Sequence, residues 1–296
     1  MLKNNFIQYL RTEKNYSAHT EISYLSDITQ LEEFTKKEQG QFNPLAIDKD
    51  IIRSWIAELT EKGMSPKSVN RKLSAVKTFF NYLQKKGNID INPTDGIIGP
   101  KIPKTLPSFI NNKDMEALLD DKTIFDDSFE GIRDRFIIEL LYVTGTRRAE
   151  LADLKDQDIN FQTKSIKVTG KRNKERIIPI SDKTVEKLQE YIDIRDKNIK
   201  NISPYLFVMK EGTRIKPSSI YNIVNKYLGY IPTISKKSPH VLRHSFATEM
   251  LNSGAEISAV KEIMGHSSLA STEVYTHVTF KELKKAYNNA HPRAEK

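Results

Sequence analysis

Between Asn92 and Pro107 the chain carries Pro93, Gly96, Gly99, Pro100, Pro103 and Pro107. Each proline fixes φ and lacks a backbone N–H, so neither one helix nor a central strand can run through this stretch. The break divides the sequence into residues 1–91 and residues 108–296, with 92–107 as the linker. A chain of 296 residues is also near the size at which one hydrophobic core stops growing, and 38% hydrophobic residues supply two modest cores.

Before the break the apolar spacing is helical. Ile22, Leu25, Ile28 and Leu31 recur on one face; Ile51, Ile52, Trp55, Ile56 and Leu59 follow Asp50 as a cap; Val69, Leu73, Val76, Phe80 and Leu83 follow Ser65-Pro66, a cap and first-turn proline pair. The pattern predicts an all-helical bundle of four or five helices. Tyr24, Trp55 and Phe79 share the helical register, which makes them core side chains rather than base-stacking platforms. After the break, Phe136, Ile137, Leu140, Leu141 and Val143 predict a buried helix that Gly145 ends. The period then changes to two. Ile159 and Phe161, Ile166 and Val168, and Ile178 and Ile180 read as three short strands, the last two joined by a basic tip from Gly170 to Glu175. Helical spacing resumes at Val185, Leu188 and Ile192 and continues through Ser238-Pro239 and Ile257 to Leu283 and Tyr287. The expected fold is therefore mainly α: an all-helical N-terminal domain and an α+β C-terminal domain with one small antiparallel sheet.

Several classes drop out. The chain has no cysteine, which removes disulfide scaffolds, thiolate zinc sites, iron–sulfur clusters and cysteine nucleophiles. No Gly-x-x-x-x-Gly-Lys-Ser/Thr loop and no Gly-x-Gly-x-x-Gly after a strand is present. No stretch has signal-peptide character, and the greasiest run, Phe136 to Val143, is interrupted by Glu139, so a cytoplasmic protein without membrane contact is expected.

Charge is more informative by position than by sum. With 47 Lys+Arg and 38 Asp+Glu the net charge is 47 − 38 = +9, but the bases gather in three windows that hold no acid: 64–89, 160–174 and 212–248. Such segregation is the footprint of a polyanion site. The candidate DNA contacts are Lys67, Asn70, Arg71, Lys72 and Lys77 in the first window, Arg172 and Lys174 at the hairpin tip, and Lys236 and Lys237 in the third. The first group is expected opposite the apolar stripe of its helix, as suits a helix lying along a DNA groove.

Within Pro239-His240-Val241-Leu242-Arg243-His244, a helix starting at Ser238-Pro239 puts His240 and Arg243 on one face of the first turn, over the positive end of the helix dipole. That is phosphate-binding geometry. Thr144-Gly145-Thr146-Arg147-Arg148-Ala149-Glu150-Leu151 supplies another arginine at a helix start, and spacing alone leaves open whether Arg147 or Arg148 is the one that pairs with Glu150. Gly265-His266 follows the apolar pair Ile263-Met264, and Tyr275 stands in Ser271-Thr272-Glu273-Val274-Tyr275-Thr276-His277.

Taken in order, Thr-Gly-x-Arg-x-x-Glu-Leu, Gly170-Lys171, His-x-Leu-Arg-His, Gly265-His266 and Tyr275 resemble the motifs of the tyrosine recombinases, the phage-integrase superfamily. Tyr16-Ser17-x-x-Thr20-x-x-x-Tyr24-x-x-Asp27, Ser68 to Ser74 and Asn92-Pro93 look like that family's SAM-like core-binding domain, and His291-Pro292-Arg293-Ala294 is similar to the end of its Xer subfamily. The resemblance covers nearly the whole chain. It places Arg147, Lys171, His240, Arg243, His266 and Tyr275 on the six catalytic positions and Glu150 on a supporting acidic one. Arg172 departs from a frequent glycine, Thr146 from a larger apolar residue and Met264 from leucine. Because Arg172 stiffens the tip, Lys174 stands beside Lys171 as the acting lysine.

The resemblance implies a site-specific recombinase that cuts and rejoins DNA through a 3′-phosphotyrosyl intermediate. Tyr275 is the expected nucleophile, His240 its base, Arg147, Arg243 and His266 the donors to the phosphate oxygens, and Lys171 the acid for the leaving 5′-oxygen. No metal, ATP or other cofactor is implied. The implied partners are double-stranded DNA at a specific core site and a homo- or hetero-tetramer on two sites, with a DNA translocase at the division septum as a further candidate. Phe280, Leu283, Ala286 and Tyr287 form an apolar stripe that suits an arm docked either on its own domain or on a neighbouring protomer. Length and ending favour chromosome-dimer resolution, in chromosome partition and cell division, over a mobile-element integrase or DNA invertase. A type IB topoisomerase is disfavoured by the compact length and the tail, and a silent DNA-binding regulator by the survival of all six residues.

Overall fold

The computed structural model describes residues 2–103, 109–170, 173–200, 203–265, 280–291 and 293. The chain forms two compact units, residues 1–105 and 106–296.

Among the described residues the first unit holds four helices: α1 (Leu2–Thr12), α2 (Ala18–Gln39), α3 (Lys49–Glu61) and α4 (Pro66–Lys85). Side-chain caps start them as helix N-termini require. The Ser17 and Ser65 hydroxyls accept from the N–H groups of Thr20 and Ser68, and α3 is capped by Asp48, two residues before the expected Asp50. The core is aromatic, with Phe6, Trp55, Phe79 and Phe80 essentially inaccessible and Phe6 set edge-on to Phe79. Tyr24 is half-buried against this core and Tyr16.

Helix α2 differs from its expected face. Ile28 and Leu31 are buried, but Ile22 is 66% and Leu25 39% exposed. The helix is turned to bring Asp27 inward, where it meets Arg71 and Lys72 of α4. The proline-rich stretch is also more than a tether. Asn92, Thr94 and Ile97 are buried, Lys77 Nζ donates to the Ile97 carbonyl at 2.7 Å, and Asn70 Nδ2 donates to the Pro100 carbonyl at 2.7 Å. A Cβ at Gly99 would lie 2.2 Å from Asn70 Oδ1 and would displace that amide.

The second unit comprises α5 (Asn112–Asp120), α6 (Phe129–Thr144), α7 (Arg148–Asp153), β1 (Ile159–Asn160), β2 (Ser165–Thr169), β3 (Glu175–Pro179), α8 (Asp182–Asn198), α9 (Pro217–Tyr227), α10 (Pro239–Asn252), α11 (Ile257–Met264) and α12 (Phe280–Ala290). Helix α6 is buried on all sides from Phe136 to Thr144 and packs on α8 and α10. Its one acid there, Glu139, is buried and held by Lys187 Nζ at 2.7 and 2.8 Å. The strands form an antiparallel sheet in the order β1-β2-β3, with Ile166 opposite Ile178 and Val168 opposite Arg176. Strand β1 stops at Asn160, and Phe161 lies beyond it, 39% exposed. Period-two alternation turns Ile166, Val168, Arg176 and Ile178 inward and Lys167, Glu175 and Ile177 outward.

Helix α12 packs on β3, α10 and α11 of its own unit, burying Leu283, Tyr287 and Ala290. His291 then stacks on Tyr287, with ring centroids 5.3 Å apart, and abuts Tyr142 and Phe246. Arg293 Nη2 reaches Asp120 Oδ1 at 3.2 Å. Among the described residues no helix is long and apolar enough to cross a membrane.

Candidate active site

Three turns build the site. Helix α6 ends where Gly145 takes a left-handed conformation (φ 60°), and its N–H returns to the Leu141 carbonyl at 3.0 Å. A Cβ at Gly145 would lie 2.5 Å from the Phe246 ring, so α6 and α10 approach this closely only with glycine there. Two residues on, Arg147 caps α7. Its backbone N–H donates to Glu150 Oε2 at 2.8 Å and its Nη1 to Glu150 Oε1 at 2.7 Å. The arginine left open by spacing is thus Arg147; Arg148 instead lies over the ring of Tyr221, 5.5 Å from its centroid.

The second turn is the start of α10, opened by Ser238 and Pro239. His240 is exposed in the first turn, whereas Arg243, three residues on, is buried. Arg243 Nη1 donates to the Gly145 carbonyl at 2.6 Å and Nη2 to the Met264 carbonyl at 2.5 Å. Burial and the neighbouring positive charge of Arg147 bring the Arg243 guanidinium down to about 10, still charged at neutral pH.

The third turn is the end of α11, where Gly265 is left-handed (φ 62°). Here three consecutive carbonyls each accept from a different arginine: Ile263 from Arg176 Nε at 2.6 Å, Met264 from Arg243, and Gly265 from Arg147 Nη2 at 3.4 Å. Arg176 comes from the inner face of β3 and holds Glu150 in a fork, Nη1 to Oε1 at 3.1 Å and Nη2 to Oε2 at 2.8 Å. Burial alone pushes the Glu150 carboxyl up, but the Arg176 fork and the Arg147 N–H outweigh it and hold the carboxyl below its ordinary value. Three guanidinium groups therefore gather at the partial negative charge of a helix end, with one carboxylate bonded to two of them. The balance is positive, which suits a phosphodiester oxygen.

Of the six residues expected to carry chemistry, Arg147, Arg243 and His240 are placed, the first two joined through the α11 end. Lys171, His266 and Tyr275, with Arg172, lie outside the described residues. The hairpin that carries the lysine closes through the Gly170 N–H on the Lys174 carbonyl at 2.8 Å, and Lys174 is exposed. Arg176 was not among the expected site residues. Its signal was available: it stands two before Ile178 in the inward register of a strand, where an arginine must find a buried acid.

The expected DNA contacts separate. Lys67 and Lys236 are exposed and Lys237 half-buried. Asn70 and Lys77 are engaged by the carbonyls of the proline-rich stretch. Lys72 corrects the expectation that the basic residues of α4 lie opposite its apolar stripe, since it is only 9% exposed and donates to Asp27 Oδ1 at 2.9 Å. Arg71 shares that carboxylate, with Nη2 at 2.8 Å from Oδ1, and remains half open to solvent.

Known proteins give the frame for this geometry. The profile described as "Phage integrase family" matches residues 108–282, and that for "Phage integrase, N-terminal SAM-like domain" matches residues 4–87. Tyrosine recombinase XerC of Pelotomaculum thermopropionicum is 38% identical, the alignment covering 99% of this chain and 98% of that protein. XerC of Staphylococcus aureus (strain MRSA252) is 36% identical over 100% of this chain and 98% of its own length, and XerC of Chlorobaculum tepidum 34% over 98% and 94%. Among solved structures, the XerH site-specific recombinase bound to palindromic difH substrate superposes with a TM-score of 0.72 at 22% identity, covering 97% of this chain and 84% of that one. The Tn1549 transposon integrase with circular intermediate DNA gives 0.70 at 22%, covering 96% and 98%. At that identity these two structures speak for the fold.

Proposed function

The chain belongs to the phage integrase family of tyrosine recombinases, enzymes that cut and rejoin DNA, and on that premise we propose that it acts as a Xer-type recombinase resolving chromosome dimers. The observation that carries the catalytic reading is the convergence of Arg147 and Arg243, from two different helices, on one helix end with positive charge in excess.

In this reading the scissile phosphate sits against Arg147 and Arg243. Their planar, permanently charged forks hold the non-bridging oxygens as negative charge grows in the five-coordinate transition state. The Tyr275 hydroxyl attacks phosphorus, its proton passing to His240, and a 3′-phosphotyrosyl ester forms as the 5′-oxygen leaves. Lys171 gives that oxygen its proton, and His266 donates to the same phosphate. The exposure of His240 beside the buried Arg243 supports the division of labour: the fixed cation is sheltered, and the group that must exchange a proton is open. The ester conserves the energy of the phosphodiester, so a 5′-hydroxyl from a partner duplex reseals the strand and no ATP enters.

Lys67, Lys236 and Lys174, all exposed, are candidates for backbone phosphate contacts, and Arg71, Arg172 and Lys237 stand with them. The partners proposed are double-stranded DNA at a specific core site and a tetramer of recombinases on two sites, identical or mixed. A DNA translocase at the division septum would couple the reaction to division in the cytoplasm. Incubation with a nicked suicide substrate should trap a covalent protein–DNA adduct. Tyr275→Phe should abolish the adduct while DNA binding persists, and an adduct that survives in that variant would overturn the assignment of the nucleophile.

A further inference from the structure

Arg176 reaches two of the three turns of the site, that of Arg147 through Glu150 and the end of α11, and has no role in the scheme above. It forks onto both oxygens of Glu150, the carboxylate that also takes the side chain and backbone N–H of Arg147. Its Nε holds the Ile263 carbonyl, one step before the carbonyl that Arg243 holds. Its stem is packed so closely against the left-handed Gly265 that a Cβ there would come within 3.1 Å of Arg176 Cδ, and a Cβ on Gly170 would lie 3.6 Å from its Nη1. Gly265 and Gly170 directly precede His266 and Lys171 in the chain.

We propose that Arg176 is a positioning residue for strand cleavage: by sharing the charge of Glu150 and pinning the end of α11, it keeps Arg147 and Arg243 directed at the phosphate. The physical case rests on a buried carboxylate shared between two guanidiniums. Glu150 is 6% exposed and cannot be left to water. With Arg176 present, Arg147 supplies one side-chain N–H to that carboxylate and keeps its other nitrogen for the α11 end. Without Arg176, Arg147 is, among the described residues, the one cation left bonded to that carboxylate, and a bidentate pairing would draw its fork inward and cancel the charge needed at phosphorus. Lysine cannot substitute, because one ammonium does not span two carboxylate oxygens and a helix carbonyl in a plane.

This inference rests on the catalytic reading, and the experiment separates the two. Single-turnover cleavage of the suicide substrate is measured for wild type, Arg176→Lys, Arg176→Met and Arg176→Met/Glu150→Gln, alongside DNA binding and thermal melting. Each is repeated with a methylphosphonate at the scissile position, where a methyl group replaces one charged oxygen. Both single variants should bind DNA within about threefold of wild type yet cleave the phosphodiester roughly 100-fold more slowly, the size of a small misplacement of catalytic groups. On the uncharged methylphosphonate the deficit should shrink below about tenfold, since arginines that offset charge matter less there. Removing the stranded carboxylate in the double variant should recover about tenfold of the phosphodiester rate. A purely structural role would lower melting and slow both substrates equally with no recovery, and that result overturns the proposal, as does cleavage at the wild-type rate by both single variants. If Arg176→Met fails to fold, Arg176→Lys and the charge-balanced double variant carry the test. Failure of the wild type to form any adduct sinks the catalytic reading itself.

Discussion

Two groups of cations in this protein look alike in sequence and differ in kind. On α4, Arg71 and Lys72 close on Asp27, which is 1% exposed, and Lys77 is spent on a backbone carbonyl. In the second unit, Arg147 and Arg176 divide a single carboxylate, Glu150, while Arg243 rests on the Gly145 and Met264 carbonyls. The first group is held by a full negative charge on a packed helix and serves to join α2 to α4. In the second, Arg147 and Arg176 divide one full negative charge and Arg243 is held by backbone dipoles. Arg243, whose resting partners are dipoles, keeps its charge for chemistry, whereas Lys72, whose partner is an ion, does not.

The widest separation between the groups should come from Asp27→Ala. It strands Lys72 inside the first unit and should cost about 3–5 kcal/mol of that unit's stability, the range for breaking a buried pair. Trp55 is the single tryptophan and lies 1% exposed in the same core, so its emission during urea unfolding reports this unit directly. A loss under about 1 kcal/mol would show that Asp27 is a surface partner after all. Next, Arg243→Lys keeps the charge but loses the fork, and cleavage of the suicide substrate should fall about 100- to 1000-fold with the Trp55 transition unmoved. A rate within about tenfold of wild type would mean that the geometry of the fork is not what the site uses.

A third way of burying a base sharpens the contrast. His291 follows directly on the end of α12; burial, with the positive charge of Arg293 acting in the same direction, drives its imidazole down to about 3, so it sits neutral among Tyr142, Phe246 and Tyr287. Its folded value lies below its unfolded one, about 6.5. The unfolded chain therefore binds the proton first as pH falls, and the stability His291 contributes is complete above about pH 6.5 and declines below it. Between pH 7 and 5 the second unit should lose about 2 kcal/mol through this group, and His291→Phe should flatten that part of the pH profile of thermal unfolding. An unchanged profile in His291→Phe would show that other groups set the acid limit.

Much of this was legible beforehand. The helical periods, the three strands, the stop at Gly145 and the ordered motifs were carried by local pattern, because caps, turns and alternation depend on residues close in the chain. What local pattern could not carry was partnership. The acid-free window over α4 holds no acid in sequence, yet Asp27 and Glu13 reach it from elsewhere, Glu13 meeting Lys85 at 3.1 Å. The same blindness hid Arg176, whose two partners lie 26 and 87 residues away. It also made Ile22 and Leu25 look like core, since a periodic stripe does not say that a buried carboxylate will rotate the helix. Helix α12, which sequence left free to dock at home or on a neighbour, lies on its own unit in the single chain.

The three carbonyls at the end of α11 have a thermodynamic consequence. A phosphate oxygen arriving at Arg147 and Arg243 does not meet bare guanidinium; it trades places with oxygens that the protein already holds there. Affinity at this point is the difference between two similar bonds and is therefore small, whereas the preference for a centre gaining negative charge is retained in full. Free phosphate in solution should be a poor competitor for such a site, and grip on the substrate must come from the rest of the duplex. Weak holding of the ground state with strong holding of the charged intermediate is what a reversible strand-transfer enzyme needs, since the same pocket must release the rejoined DNA.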